Sequence, residues 1–194
     1  MIRAFVGIAI PDEIAATLAI AQSGLPGRLS ERENFHLTLV FLGELPGPLL
    51  EDVHYALDGV SAPGFQLSLD GVDSFGRPQP TTAHALIRPS EPLNHLRAKL
   101  ARAAREAGAG IDSRRFTPHV TLARFGTGLG PDDMQDLAAW RQRRADFRAG
   151  PFDVHAFTLF RSHLGRKGAA YEVLEDYPLA PPQTLAAAPG AARP

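Results

Sequence analysis

The chain has 194 residues, a formal net charge of −1, 44% hydrophobic residues and 21% charged residues, the balance of a globular protein long enough to bury a sizeable core. It contains no cysteine, which excludes disulfides, thiolate metal sites and Cys nucleophiles and leaves His, carboxylates and hydroxyls for chemistry. A net charge near zero argues against coating long nucleic acid by bulk electrostatics, and no apolar run approaches membrane-spanning length.

Residues 2–9 read as a buried strand. The chain enters it without the charged, apolar and small-residue layout of a signal peptide, so a cytoplasmic protein is expected. Pro11 suits a first helical turn; Ile14, Leu18 and Ala21 follow at helical spacing, and Gly24 is the stop. After the turn Leu25-Pro26-Gly27, residues 34–42 form a strand closed by Gly43. Leu49, Leu50, Val53, Ala56 and Leu57 indicate a second helix. Residues 65–75 alternate as a strand and turn through Gly76-Arg77-Pro78-Gln79-Pro80 into another near 82–88. Ser90 is an N-cap candidate for a long amphipathic helix carrying Leu93, Leu96, Leu100, Ala103 and Ala107 and ending at Gly108. Residues 115–124 form a strand with Pro118 inside it, which marks an edge or the point where regular pairing starts. Pro131 opens a helix with Met134, Leu137, Ala138 and Trp140, and residues 152–161 and 169–176 close the chain as a strand pair. A single domain over residues 1–179 and a disordered Pro/Ala-rich tail over 180–194 are expected.

Two of these strands carry one pattern: His36-Leu37-Thr38-Leu39 and His119-Val120-Thr121-Leu122, their histidines 83 residues apart. Residues i and i+2 of a strand share a face, so each His projects beside its own Thr while the apolar residues face a core. One H-x-T is weak evidence, because strands are rich in Thr; the doubled pattern points to catalysis or ligand binding. Histidine exchanges protons near neutral pH. One neutral and one protonated imidazole supply the base and the acid that opening a cyclic phosphodiester requires, and Thr hydroxyls can donate to phosphate oxygens as charge builds.

Several strings resemble one family: Arg3-Ala4-Phe5-Val6-Gly7-Ile8-Ala9, Glu33-Asn34-Phe35-His36-Leu37-Thr38-Leu39 with Phe41-Leu42-Gly43, Phe116-Thr117-Pro118-His119-Val120-Thr121-Leu122-Ala123-Arg124, and Phe160-Arg161-Ser162 leading to Tyr171-Glu172-Val173-Leu174. They are similar to the two-histidine phosphoesterases, and within them to the RNA 2′,3′-cyclic phosphodiesterases, also called 2′-5′ RNA ligases. The resemblance implies a bilobal, pseudo-symmetric α+β fold of the LigT-like kind, with two antiparallel sheets lining a central cleft and helices packed outside. It implies His36 as proton donor, His119 as proton acceptor, and Thr38 and Thr121 as phosphate holders. The substrate would be RNA or a nucleotide with a 2′,3′-cyclic phosphate end, the product a 2′-phosphate, and the same site could reversibly join ends through a 2′-5′ bond. Arg124 would add positive charge at the rim. One departure is Leu29, where relatives often carry Trp, a residue suited to stacking on a base.

Phe75, with Gly76 and Arg77, is a candidate for the cleft mouth, Arg161 and Ser162 for phosphate contact and Tyr171 for base stacking; a hairpin turn, a solvated strand end and a half-buried strand Tyr are the plain alternatives. His54, His84, His95, His155 and His163 share no spacing and default to surface or satisfied core positions. Gly126-Thr127-Gly128-Leu129-Gly130 lacks the Lys-Ser/Thr ending of a P-loop and reads as a turn. The residues therefore imply no cofactor, no metal and a monomer. Two alternatives stay open: a non-catalytic nucleotide-binding module, and a phosphodiesterase for a small cyclic phosphate. A metal hydrolase lacks the companion ligands beside His36 and His119.

Overall fold

The computed structural model describes residues 1–76, 78–111, 115–126, 128–165 and 168–181. In chain order it contains β1 (Ile2–Ala9), α1 (Asp12–Ala21), β2 (Arg28–Leu29), a 3-10 turn (Arg32–Asn34), β3 (His36–Leu45), α2 (Gly47–Asp58), β4 (Phe65–Phe75), β5 (Thr82–Ile87), α3 (Glu91–Glu106), β6 (His119–Arg124), α4 (Pro131–Arg143), β7 (Arg148–Val154), β8 (Ala156–Gly165) and β9 (Gly168–Pro178). The strands follow the order β7-β4-β5-β6-β3-β1-β8-β9, with β2 added beside β6. The pairings between these strands are antiparallel.

The two expected sheets are the halves β7-β4-β5-β6 and β3-β1-β8-β9 of this path. They join through a single register pair, Leu37 with Val120. Both residues are fully buried, so the junction is pinned from the core side while the opposite face stays open.

Helices supply the rest of the core. In α3, Leu93, Leu96, Leu100 and Ala104 recur every three or four residues and are buried, each Leu contributing about 1.5–3 kcal/mol by leaving water. Ser90 caps this helix as expected, its hydroxyl accepting from the Leu93 amide at 3.3 Å. Trp140 of α4 is completely buried, and its Nε1 donates to the carbonyl of Ala21, the last residue of α1, at 2.8 Å. Trp140→Phe keeps most of the ring but strands that buried carbonyl. The expected loss is about 1–3 kcal/mol of unfolding free energy, read from urea midpoints; a change below about 0.5 kcal/mol would show that the bond contributes nothing.

Four sequence expectations need correction. The strand placed at 34–42 starts at His36 and runs through Gly43 to Leu45. Gly43 takes a φ of 72° beside a bulge, Phe41 pairing with Phe5 and Gly43 with Ala4, so the glycine bends the strand instead of ending it. The strand placed at 115–124 begins only at His119, because Pro118 has no N–H for the ladder. The single strand expected at 152–161 is two: β7 pairs with β4 and β8 with β1, and His155 is the crossing point between the halves. The two-residue β2 falls where only a turn and its flank were expected. Arg77 and Thr127 of the sequence candidates, and nearly all of the proposed tail, lie outside the described residues.

Candidate active site

The pseudo-symmetry of the doubled motif is crossed in space. Leu37 pairs with Val120 in antiparallel register, so one step either way sets His36 opposite Thr121 and Thr38 opposite His119. Each histidine therefore has the other motif's threonine as its neighbour across the junction. All four side chains are partly exposed on the face opposite buried Leu37 and Val120.

Local backbone aims both rings alike. The Nδ1 of His36 donates to the Asn34 carbonyl at 2.8 Å, and that of His119 to the Thr117 carbonyl at 2.7 Å. A carbonyl only accepts, so the proton sits on Nδ1 in each neutral ring and Nε2 is left for chemistry. Aromatic rings complete the seats. His36 is flanked by Phe5 at 4.8 Å and by Tyr171 edge-on at 4.6 Å, with Phe160 stacked on Phe5 at 4.9 Å. His119 meets Phe75 edge-on at 4.8 Å and His84 at 5.0 Å.

These apolar seats withdraw water. Burial pushes His36 down to about 4, with Arg124 and His119 adding to the effect against the Asn34 carbonyl. Burial likewise lowers His119, opposed by the Thr117 carbonyl and assisted by Arg124. Both imidazoles are thus neutral in the free protein near pH 7, and an arriving anion would raise both.

A cleft of about 290 Å³ opens beside this face, lined among others by His36, Thr121, Asn34, Tyr171, Arg124 and Arg28. Thr38 and His119 do not line it; they stand on the same face, two residues from His36 on β3 and two from Thr121 on β6. Arg124 reaches the cleft by way of a bulge. His84 pairs with Thr121 and Ala83 with Ala123, which leaves Leu122 as an extra residue and turns Arg124 to the side of Thr121. The freed Leu122 carbonyl accepts from Ser30 N and from Gln22 Nε2, each at 2.8 Å.

The other sequence candidates divide. Tyr171 belongs to the cleft, tied to the first motif by its amide, which donates to Asn34 Oδ1 at 3.3 Å. Phe75 packs on His119 and stacks on His84 at 4.0 Å, as a ring that seats a histidine. Ser162 pairs with Tyr171 across β8–β9, beside the cleft wall. Arg161 is not brought to the cleft: it alternates away from Phe160 and Ser162 and lies 3.9 Å from Glu172. Leu29, the departure from the family pattern, is 44% exposed and lines the cleft as an aliphatic side chain.

Three residues that matter to the geometry escape a reading of the sequence. Asn34 binds both His36 and Tyr171, and only its neighbourhood to the first motif signals it. His84, expected on the surface or satisfied in the core, is 1% exposed and its Nδ1 has no partner among the described residues. It extends a row across the strands, between Thr121 and Asp73, the latter 2.9 Å from Arg141; burial, with His119 adding, lowers it to about 4. Arg28 has no sequence signal. Among the described residues no three His, Asp or Glu side chains converge as a metal-ligand set.

Comparisons with known proteins place the chain in a family. A family model described as the 2′-5′ RNA ligase superfamily matches residues 10–166. An RNA 2′,3′-cyclic phosphodiesterase of Aeropyrum pernix is 30% identical over 158 residues, covering 80% of this chain and 88% of that protein. The crystal structure of TT0787 of Thermus thermophilus superposes with a TM-score of 0.74 at 28% identity, covering 92% of this chain and 98% of that one. That of E. coli LigT complexed with 3′-AMP gives a TM-score of 0.71 at 26% identity with the same coverage. With a doubled H-x-T motif folded into one crossed cluster and a family match over most of its length, the chain belongs to the 2′-5′ RNA ligase superfamily.

Proposed function

We propose that this protein hydrolyses RNA 2′,3′-cyclic phosphate ends to 2′-phosphates by acid–base catalysis from its paired histidines. The observation that carries this reading is the crossed cluster, in which two Nε2 atoms and two hydroxyls share one face with both Nδ1 atoms already engaged. The relatives named RNA 2′,3′-cyclic phosphodiesterase, and the LigT structure that holds 3′-AMP, support it.

His119 Nε2 takes a proton from water as the water oxygen bonds to phosphorus. The bond from phosphorus to O3′ breaks, and His36 Nε2 delivers a proton to the departing O3′, leaving the phosphate on O2′. His36 must be protonated for this step. The anionic substrate raises its pKa on binding, offsetting the burial that keeps it neutral in the free protein. With a 5′-hydroxyl in place of water, the same transfers join two ends through a 2′-5′ bond.

Thr38 and Thr121 lie where they can donate to the non-bridging oxygens. Thr38→Val and Thr121→Val preserve shape and remove one donor each. Each is expected to lower kcat by about 10–100-fold with a smaller change in KM, measured by steady-state kinetics; an effect mainly on KM would mean that the hydroxyls serve only ground-state binding.

The test of the function is hydrolysis of an oligoribonucleotide ending in a 2′,3′-cyclic phosphate in excess EDTA. Conversion to a 2′-phosphate end supports the reading. No turnover by the folded protein, with or without divalent metal, would leave nucleotide binding or another cyclic phosphate as the function. No helix among the described residues is long and apolar enough to cross a membrane. The same reading has the protein act in the cytoplasm, as a monomer, with residues 1–179 working as one bilobal unit.

A further inference from the structure

Outside the histidine cluster, one feature of the cleft is electrostatically unfavourable as it stands. The short strand β2 pairs with the end of β6 so that Arg28 is directly opposite Arg124. Like charges facing each other across a pair of strands destabilise it. Among the described residues neither arginine forms an ion pair, although Glu31 lies on the same cleft wall.

The position is nevertheless built firmly. Gln22, 7% exposed, donates from Nε2 to the carbonyls of Ser30 and Leu122 at 2.9 and 2.8 Å, and Ser30 N donates to the same Leu122 carbonyl at 2.8 Å. These bonds hold β2 against β6 although it is two residues long. From there the Arg28 side chain reaches across the cleft to β9. Its guanidinium lies over Gly168, where a Cβ would overlap it. Arg28 thus spans from the wall that carries Thr121 to the wall that carries Tyr171.

The two arginines reach different parts of the cleft. Arg124 lines the cleft together with His36 and Thr121, and the bulge at Leu122 turns it to the side of Thr121, which puts it beside the reacting phosphate. Arg28, on β2 beside Arg124, reaches instead to Gly168 at the start of β9. We propose that Arg28, opposed to Arg124, forms a second anion subsite that takes the phosphodiester next to the cyclic phosphate, so that the preferred substrate is the end of an RNA strand and not a cyclic mononucleotide. This rests on the cyclic phosphodiesterase reading above. A phosphodiester seated at Arg28 offsets the repulsion from Arg124, and the planar donor fork of arginine matches a phosphodiester.

Three probes separate the possibilities: adenosine 2′,3′-cyclic phosphate, the dinucleotide ApA ending in a 2′,3′-cyclic phosphate, and the same dinucleotide with an uncharged methylphosphonate linkage. The expected result is a kcat/KM about tenfold higher for the charged dinucleotide than for its methylphosphonate analogue, the scale of one charge-assisted hydrogen bond. Arg28→Gln should compress that ratio to within about twofold, and Arg28→Lys, which keeps the charge, should retain part of it. Thermal melting of both variants checks the fold. Equal rates for the two dinucleotides with the native protein, or an unchanged ratio in a folded Arg28→Gln, would overturn the second subsite and leave the phosphodiesterase assignment standing. Turnover of none of the three probes would overturn both.

Discussion

His36→Ala and His119→Ala are each expected to reduce kcat by about a thousandfold, the range for loss of a positioned acid or base, without unfolding the protein. Both side chains sit on the open face of the β3–β6 junction, while the junction itself is held by buried Leu37 and Val120. The double variant should be little worse than either single one, because the two groups act in one proton-transfer sequence. The pH profile of kcat/KM tells the roles apart. A base must be deprotonated, so removing His119 should abolish the acid limb; an acid must be protonated, so removing His36 should abolish the alkaline limb. Loss of the opposite limbs would reverse the assignment. Since both imidazoles lie below the usual 6.5 in the free protein, and a bound anion raises them, the kcat profile should be displaced to higher pH than that of kcat/KM.

The second large effect is on stability in acid. His84 and His36 ionise near 6.5 when exposed and only at about 4 in the fold, burial being the main cause for both. Between those two values the unfolded chain binds protons that the folded chain refuses, so stability falls as the pH falls from 6.5 to 4 and is fully present above 6.5. For buried His84 the full drop amounts to about 3 kcal/mol at 1.36 kcal/mol per pH unit. Partly exposed His36 contributes roughly half as much after solvent screening, and His119 acts in the same direction. The sum for His84 and His36 alone, on the order of 4–5 kcal/mol, approaches the whole stability of an ordinary domain. Urea midpoints taken at about pH 7, 5.5 and 4.5 should therefore decline steeply, and His84→Phe should flatten the decline. A constant midpoint over that window would mean that the imidazoles are hydrated in the native state.

Much of the site is readable in the sequence because it depends on local periodicity. The 83-residue spacing of two motifs of one pattern on strand-like runs is visible without knowing where the strands go, since an alternating face belongs to the strand itself. The same holds for the helix of Leu93, Leu96 and Leu100, whose stripe and Ser90 cap are properties of consecutive residues. Arg161 misleads unless alternation is carried one residue further: Phe160 and Ser162 face the cleft side, and the residue between them must face away. His84 is unreadable for another reason. Its burial comes from Phe75 on β4 and His119 on β6, neither of them a sequence neighbour.

The sequence by itself determined the chemical groups and their strands: two histidines, two threonines, neighbouring apolar residues to drive one face inward, and no thiol to compete. Only the tertiary structure decided how those strands meet. Pairing Leu37 with Val120 crossed the motifs, so that each histidine faces the other motif's threonine. The extra residue at Leu122 turned Arg124 into the cleft, and the clasp of Gln22 on that residue's carbonyl brought Arg28 opposite it. The reason is physical. Alternation is a property of one strand, whereas register and bulges arise from hydrogen bonds between strands far apart in the chain, and a shift of one residue would have sent every one of these side chains to the opposite face.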